Sequence, residues 1–275
     1  MRESRHLVGG LAPLLAAALW GGMYVVSKWG FSLVPPLTLG FLRVALGGAV
    51  LFAVARVRYP DREFTSADVR GFVLLGALVT ASIATQFVGT DLTNASQGSL
   101  LTVATPVFTV LLGAALLGEV VTVRRAVGIA LAAVGTLVVV AGQHDLGSIG
   151  SANLVGVSAL LAASLTWAGY TVWGKPLVRK TSALETATYA SLASLPMLAV
   201  LSAIELAVEG ISLSALPRTL PVLAAITYLG VGSTALAWYL WYKGLEYVGA
   251  GTVAVFFFAQ PLVGGALGAV VLAEP

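Results

Sequence analysis

Cysteine is absent from these 275 residues, which removes disulfides, thiolate nucleophiles and cysteine metal sites together. There are only two histidines. His6 lies near the terminus and His144 in a loop, too far apart for a zinc site. Charged side chains make up 10% of the chain, against about 25% in an ordinary soluble domain. No Asp or Glu falls at mid-depth in any apolar run, since Asp91, Glu119, Glu205 and Glu274 sit at run ends. No phosphate loop, nucleophile elbow or HExxH helix is spelled out, and no cofactor-binding pattern occurs. An integral-membrane enzyme would need acidic residues or histidines clustered at one membrane face, and none is visible.

What is abundant is apolar. Hydrophobic residues are 58% of the chain and the mean hydropathy is +0.95, so a multi-span membrane protein is expected. A helix needs about 20 apolar residues to cross the hydrocarbon core. Runs of that length fall at 8–28, 36–57, 69–90, 95–117, 125–142, 152–174, 184–206, 219–242 and 250–273. They lack period-2 alternation, and a lipid-exposed strand would leave its backbone unpaired, so nine helices are expected. The basic, alanine-rich start superficially resembles a signal peptide. Trp20, Tyr24 and Trp29 follow where a small-residue cleavage site should lie, so an uncleaved first helix is expected.

The net charge of +3 is sided. The N-terminus, the loops around 56–70 and 175–180, Arg124, Arg125 and Lys243 hold 12 of the 15 basic residues; the alternate loops hold Lys28 and Arg218, and Arg43 lies inside a run. The positive-inside rule puts the N-terminus in the cytoplasm, and the charge speaks for orientation in a bilayer rather than for a nucleic-acid partner.

The chain also repeats itself. Thr90–Glu119 aligns with Leu245–Glu274 at an offset of 155, with 8 identities in 30 positions, among them Pro106/Pro261 and Glu119/Glu274. Leu14–Lys28 aligns with Leu160–Lys175 after a one-residue gap, pairing Trp20 with Trp167 and Lys28 with Lys175. Two echoes in the same order imply two homologous halves, residues 1–145 and 146–275. Five helices in the first half is an odd number, so the second starts from the other side and the repeats are inverted. Glu119 is followed by a fifth helix whereas Glu274 is followed only by Pro275, so a tenth helix is expected that these residues do not contain. Without it, an apolar face around Phe256, Phe257 and Val263 is expected to lie exposed.

A five-helix unit whose fourth helix carries a central proline, a small-residue tail and a closing glutamate, as in ATPVFTVLLGAALLGE and AQPLVGGALGAVVLAE, resembles the EamA repeat of the drug/metabolite transporter superfamily. Leu19–Gly22 (LWGG) and the arginine of FLRVALGG fit the same pattern. The resemblance covers essentially the whole chain. It implies an all-α polytopic protein of two inverted five-helix EamA repeats, ten helices in all with nine present here. It also implies a central cavity and export or exchange of small metabolites, often amino acids, with amines, drugs or sugars as alternatives. Small multidrug exporters of that superfamily couple protons through a membrane-embedded glutamate, which is missing here, so gradient-driven exchange is the easier expectation.

The residues suggest where substrate would sit. Trp20 and Tyr24 share a face near the middle of helix one, and Trp167 and Tyr170 take the equivalent place in helix six. Cavity lining and interhelical packing both fit them. Arg43, Thr105, Ser233, Thr234 and Gln260 are the polar groups at depth. A midplane guanidinium costs at least about 2.5 kcal/mol, so Arg43 needs a partner, either a substrate carboxylate or backbone carbonyls. Pro106 and Pro261 each remove a helical hydrogen bond, from Thr102 and Phe257 respectively, and are candidate hinges as well as packing kinks. Gly264 and Gly268 form a small-xxx-small pair for close helix approach, and Trp238, Tyr239, Trp241, Tyr242 and Tyr247 read as an interfacial belt. Asn94 spells a glycosylation acceptor but is better read as a helix N-cap.

Overall fold

The computed structural model describes residues 2–59, 62–123, 126–131, 134–135 and 151–272. Its helices are α1 (Arg2–Phe31), α2 (Pro36–Arg58), α3 (Ser66–Leu92), α4 (Ala95–Leu101), α5 (Ala104–Leu117), α6 (Ser151–Lys180), α7 (Ala183–Glu209), α8 (Leu220–Thr227), α9 (Ala237–Tyr247), α10 (Ala250–Ala254) and α11 (Ala259–Val271). A π-helical segment, Tyr228–Leu236, joins α8 to α9, and a 3-10 turn, Val255–Phe258, joins α10 to α11. Among the described residues eight helices are long and apolar enough to cross a membrane, and no strand occurs. The chain is an all-α, multi-pass membrane protein. The expected fifth span, 125–142, lies mostly outside the described residues, as do Arg124, Arg125 and the junction near 143–150.

Several helices run past the apolar stretches that announced them. Hydropathy marks only the part in hydrocarbon, and capped polar turns carry the helix onward. Thr65 and Asp68 form a capping box, each side chain accepting the other's backbone N–H. The Ser182 hydroxyl accepts the Glu185 amide at 3.1 Å. Asn94 accepts the Gln97 amide at 2.7 Å, as its reading as a cap requires.

The spans pack in a regular scheme. Helix α1 lies against α9 and α11, α6 lies against α3 and α5, and α2 crosses α7. Likewise α3 meets α7 as α2 meets the π segment, and α4 and α5 meet α11 and α10. This scheme maps onto itself when α1 is exchanged with α6, α2 with α7, α3 with the span from α8 to α9, and the span of α4 and α5 with that of α10 and α11. Close approach is bought by glycine at two seams. A Cβ on Gly21 would fall 2.9 Å from the Gln260 carbonyl and 2.6 Å from Val263, and one on Gly264 would strike Ser99. Gly47 is similarly pressed to 2.6 Å from the Gly230 carbonyl and from Thr234.

Both ends of the bundle are tied by polar contacts. At one end Lys180 pairs with Asp68 at 2.5 Å and Arg62 with Glu185 at 3.7 Å. At the other, Lys28 donates to the Asp91 and Thr93 carbonyls, and Glu205 accepts the Leu37 and Thr38 amides. The outer surface between is apolar, with Val57, Val208 and Val270 among its most exposed side chains, as lipid contact demands.

Two expectations need correction. Phe257 is buried, stacked on Trp20 and Trp241, and Val263 packs on Gly21; the exposed side of α11 is instead Leu262, Val270 and Val271. Trp238, Trp241 and Tyr242 are not an interfacial belt, for they are buried in the bundle, and only Tyr247 of that group is exposed. Their spacing of three and four residues puts them on one face, and that face turns inward.

Candidate functional site

The spans that carry Pro106 and Pro261 are both broken at the same place. In the first half α4 stops at Leu101, and α5 restarts at Ala104 with Pro106 in its first turn. In the second, the 3-10 turn intervenes and α11 restarts at Ala259 with Pro261 in its first turn. The prolines therefore begin half-helices rather than bend continuous ones. The Thr102 carbonyl expected to be freed is taken by the Thr105 amide at 2.9 Å, because the chain tightens to an i→i+3 bond ahead of the proline.

These breaks face a cavity between the halves. Its wall includes Trp20, Arg43, Thr105, Trp167 and Gln260 from the sequence-derived set. Tyr24, Tyr170 and Ser233, also in that set, are not among the residues that line it. Tyr24 stands behind, its hydroxyl accepting from Gln86 Nε2 at 2.5 Å; Tyr170 backs Trp167 at 4.7 Å between ring centroids; and Ser233 contributes a carbonyl behind Arg43. The sequence reading missed Met23, Ser82, Gln86, Thr102, Trp238 and Phe257. Gln86 could have been found as a polar residue deep in the third run, whereas Trp238 was misread as interfacial.

The wall is built in pairs. Trp20 and Trp167 are equivalent in one echo, and Thr102/Phe257 and Thr105/Gln260 in the other, and all six line this one cavity. Trp20 and Trp167 meet edge to face at 5.0 Å, and Trp238 lies 5.9 Å from Trp167, giving an aromatic box. Thr102 donates to Gln260 Oε1 at 3.3 Å across the halves. The cavity measures about 30 Å³, which holds roughly two waters. It is contracted, and a metabolite enters only if its walls part.

Arg43 is the charged group of this wall and is 2% exposed. The π segment holds it. Ser233 and Thr234 hydroxyls both bond to the Leu229 carbonyl, and the widened turn leaves the Ser233 carbonyl free to accept from Trp20 Nε1 at 2.8 Å and Arg43 Nη2 at 3.3 Å. Arg43 Nε donates to Thr234 Oγ1 at 2.9 Å, and Nη1 meets only the weakly accepting Met23 thioether. Among the described residues no carboxylate pairs with Arg43 and none lines the cavity. Two more lining groups lack partners, the Trp167 Nε1–H and the Thr105 hydroxyl. The cavity is thus rich in unspent donors, and such groups at depth call for a ligand or water.

A second cross-half constellation lies nearer one end. Glu119, just after α5, receives the Lys175 ammonium and the Ala250 amide on one oxygen and the Gly251 amide on the other. Burial disfavours its charge, yet Lys175 and the two amides together hold its carboxyl below the ordinary carboxylate range. It caps α10 from the opposite half, where Gly249 has no side chain to do so.

A model of the EamA-like transporter family matches residues 7–141 and, separately, 154–275. An uncharacterized transporter of Archaeoglobus fulgidus is 27% identical over 95% of this chain and 89% of its own length. A probable amino-acid metabolite efflux pump of Salmonella typhimurium is 29% identical over 96% and 87%. A solved crystal structure superposes with a TM-score of 0.70, covering 100% of this chain and 91% of its own at 23% identity, a likeness of fold.

Proposed function

The chain belongs to the EamA-like transporter family, and from that premise we propose that it exports or exchanges small amphipathic metabolites bearing a carboxylate, amino acids or related compounds first among them. Substrate binds at the central cavity and is passed by alternating access between two inverted five-helix repeats, residues 1–145 and 146–275. The membrane is the inner membrane, with the N-terminus in the cytoplasm.

The observation that carries this reading is an Arg43 that has hydroxyl, carbonyl, thioether and ring contacts but no carboxylate partner among the described residues, in an aromatic cavity walled by equivalent residues of both halves. A carboxylate would complete Arg43 with charge-assisted bonds, while the faces of Trp20, Trp167 and Trp238 suit an apolar side chain or an ammonium group. An amine lacking a carboxylate finds no acid in the described wall. The self-mapping packing scheme and the two separate family matches support the repeats. Pro106 and Pro261 supply the half-helix starts about which the walls part. The Salmonella relative's name favours amino-acid metabolites as the first class to try.

The test is counterflow in proteoliposomes with labelled amino acids, sugars and amines. Carboxylates should exchange and the others should not. Arg43→Lys keeps the charge but loses the planar fork, so carboxylate exchange should fall well beyond any loss of protein. Trp167→Ala should weaken an aromatic substrate by about 1 kcal/mol beyond lost burial. If both variants exchange normally, the central site is wrong and Arg43 is a structural anchor for the π segment.

A further inference from the structure

The π segment has a second face. On the side away from the cavity, α2, the start of α7 and the segment Val231–Lys243 leave a groove of about 500 Å³ open to the lipid side. Its walls are apolar, with Val50 and Val54 on α2 opposite Val231 and Leu236 of the π segment. Buried Leu51 and Leu184 close its floor.

Only one end of the groove is polar. There Arg58 and Lys243 both line the groove, together with Tyr59 and Tyr239. Lys243 is steadied by Glu246 at 2.5 Å, whereas exposed Arg58 has no hydrogen-bonding or ionic partner among the described residues. Among the described residues that line this end or pair with its lining, two cations stand against one carboxylate. It is also the end where the basic loops gather, the side that faces the anionic leaflet in the orientation proposed above.

The dimensions choose the occupant. Val231 to Lys243 spans roughly 18 Å of helix, close to the ~15 Å hydrocarbon depth of one leaflet. A soluble anion has no use for the apolar walls, and a zwitterionic lipid brings its own cation beside its phosphate, so it cancels none of the net positive charge. We propose that this groove binds an anionic phospholipid, with an acyl chain between α2 and the π segment and its phosphate against Arg58 and Lys243. The lipid then braces the outer face of the segment whose inner face, Ser233 and Thr234, positions Arg43. The site stands whatever the central cavity carries.

Native mass spectrometry of the full chain, stripped of lipid in detergent, tests this. Phosphatidylglycerol and phosphatidylcholine with the same acyl chains are titrated in parallel, with glycerol 1-phosphate as a soluble competitor. Phosphatidylglycerol should bind about fivefold or more tightly than phosphatidylcholine, and Arg58→Gln should lower it about fivefold, the share of one basic side chain. Arg58→Lys should retain most of the affinity, and Val54→Trp, which fills the groove, should weaken both lipids. Melting in lipid-free detergent identifies any variant that fails to fold, in which case Arg58→Gln and the comparison of lipids decide. Equal binding of the two lipids, unaltered binding by Arg58→Gln, full competition by glycerol 1-phosphate, or a lipid-excluding dimer abolished by Val54→Trp would each overturn the proposal.

Discussion

Glu119→Gln is the perturbation with the clearest arithmetic. The carboxylate joins the first half to the second through the Lys175 ammonium and the Ala250 and Gly251 amides, and both ionic side chains are mostly buried, 14% and 10% exposed. A glutamine oxygen placed at Oε1 keeps Lys175 and Ala250, but as neutral-acceptor bonds of about half the strength. Its amide nitrogen then confronts the Gly251 N–H, donor against donor, and that bond is lost. The sum is about 2–3 kcal/mol removed from this end of the bundle. If the constellation holds the halves shut, the open population at this end rises roughly 30–150-fold. The absence of cysteine makes the assay direct. Ala163→Cys puts a thiol on the cavity wall, where the native residue is 2% exposed. Its labelling by an impermeant maleimide, added from the Lys175 side in oriented vesicles, should be slow with Glu119 and at least tenfold faster with glutamine. A lowered melting temperature with an unchanged labelling rate would refute the gate and leave Glu119 only a helix cap.

The same carboxylate sets a pH dependence. Its folded-state pKa lies below the ordinary value of about 4.3, so its contribution is complete above that value and is lost as pH falls through the depressed one. Labelling of the Ala163→Cys protein, divided at each pH by the rate for the same protein unfolded so that the changing thiolate fraction cancels, should therefore be flat from pH 8 to 5 and rise only in stronger acid; a rise between pH 7 and 6 would assign control to another group. Gly47→Ala should cost about 1–3 kcal/mol, since its Cβ meets the Gly230 carbonyl and Thr234 at 2.6 Å, and it should depress carboxylate exchange by displacing the anchor of Arg43. Thermal melting and counterflow check the two parts separately. For orientation, a cysteine replacing Ser66 should be unreactive from outside intact cells, and ready labelling there would reverse the assigned sidedness.

Much of the fold was legible because bilayers impose it. Eight of the nine apolar runs correspond to the described spans, since a backbone in hydrocarbon has few alternatives to the helix. The Asn94 cap was likewise local, needing a side-chain carbonyl oxygen and an amide three residues on, and the small-residue spacing at Gly264 marked a close helix approach without naming its partners, Ser99 and Gly21. The echo identified Trp20 and Trp167 because duplication left these equivalent positions alike, and Thr105 and Gln260 stood out as polar groups at depth in apolar runs. Composition cannot say which way a helix faces when both lipid and protein are apolar. So Trp238 and Trp241 looked interfacial and proved central, Phe257 looked exposed and proved buried, and Tyr24 and Tyr170 fell one layer behind the wall they were expected to form. The π segment was hidden for another reason. It arises where Ser233 and Thr234 bond to one carbonyl while Arg43 and Trp20 draw on the carbonyl of Ser233 from other helices, and such a turn is fixed by tertiary neighbours rather than by its own residues.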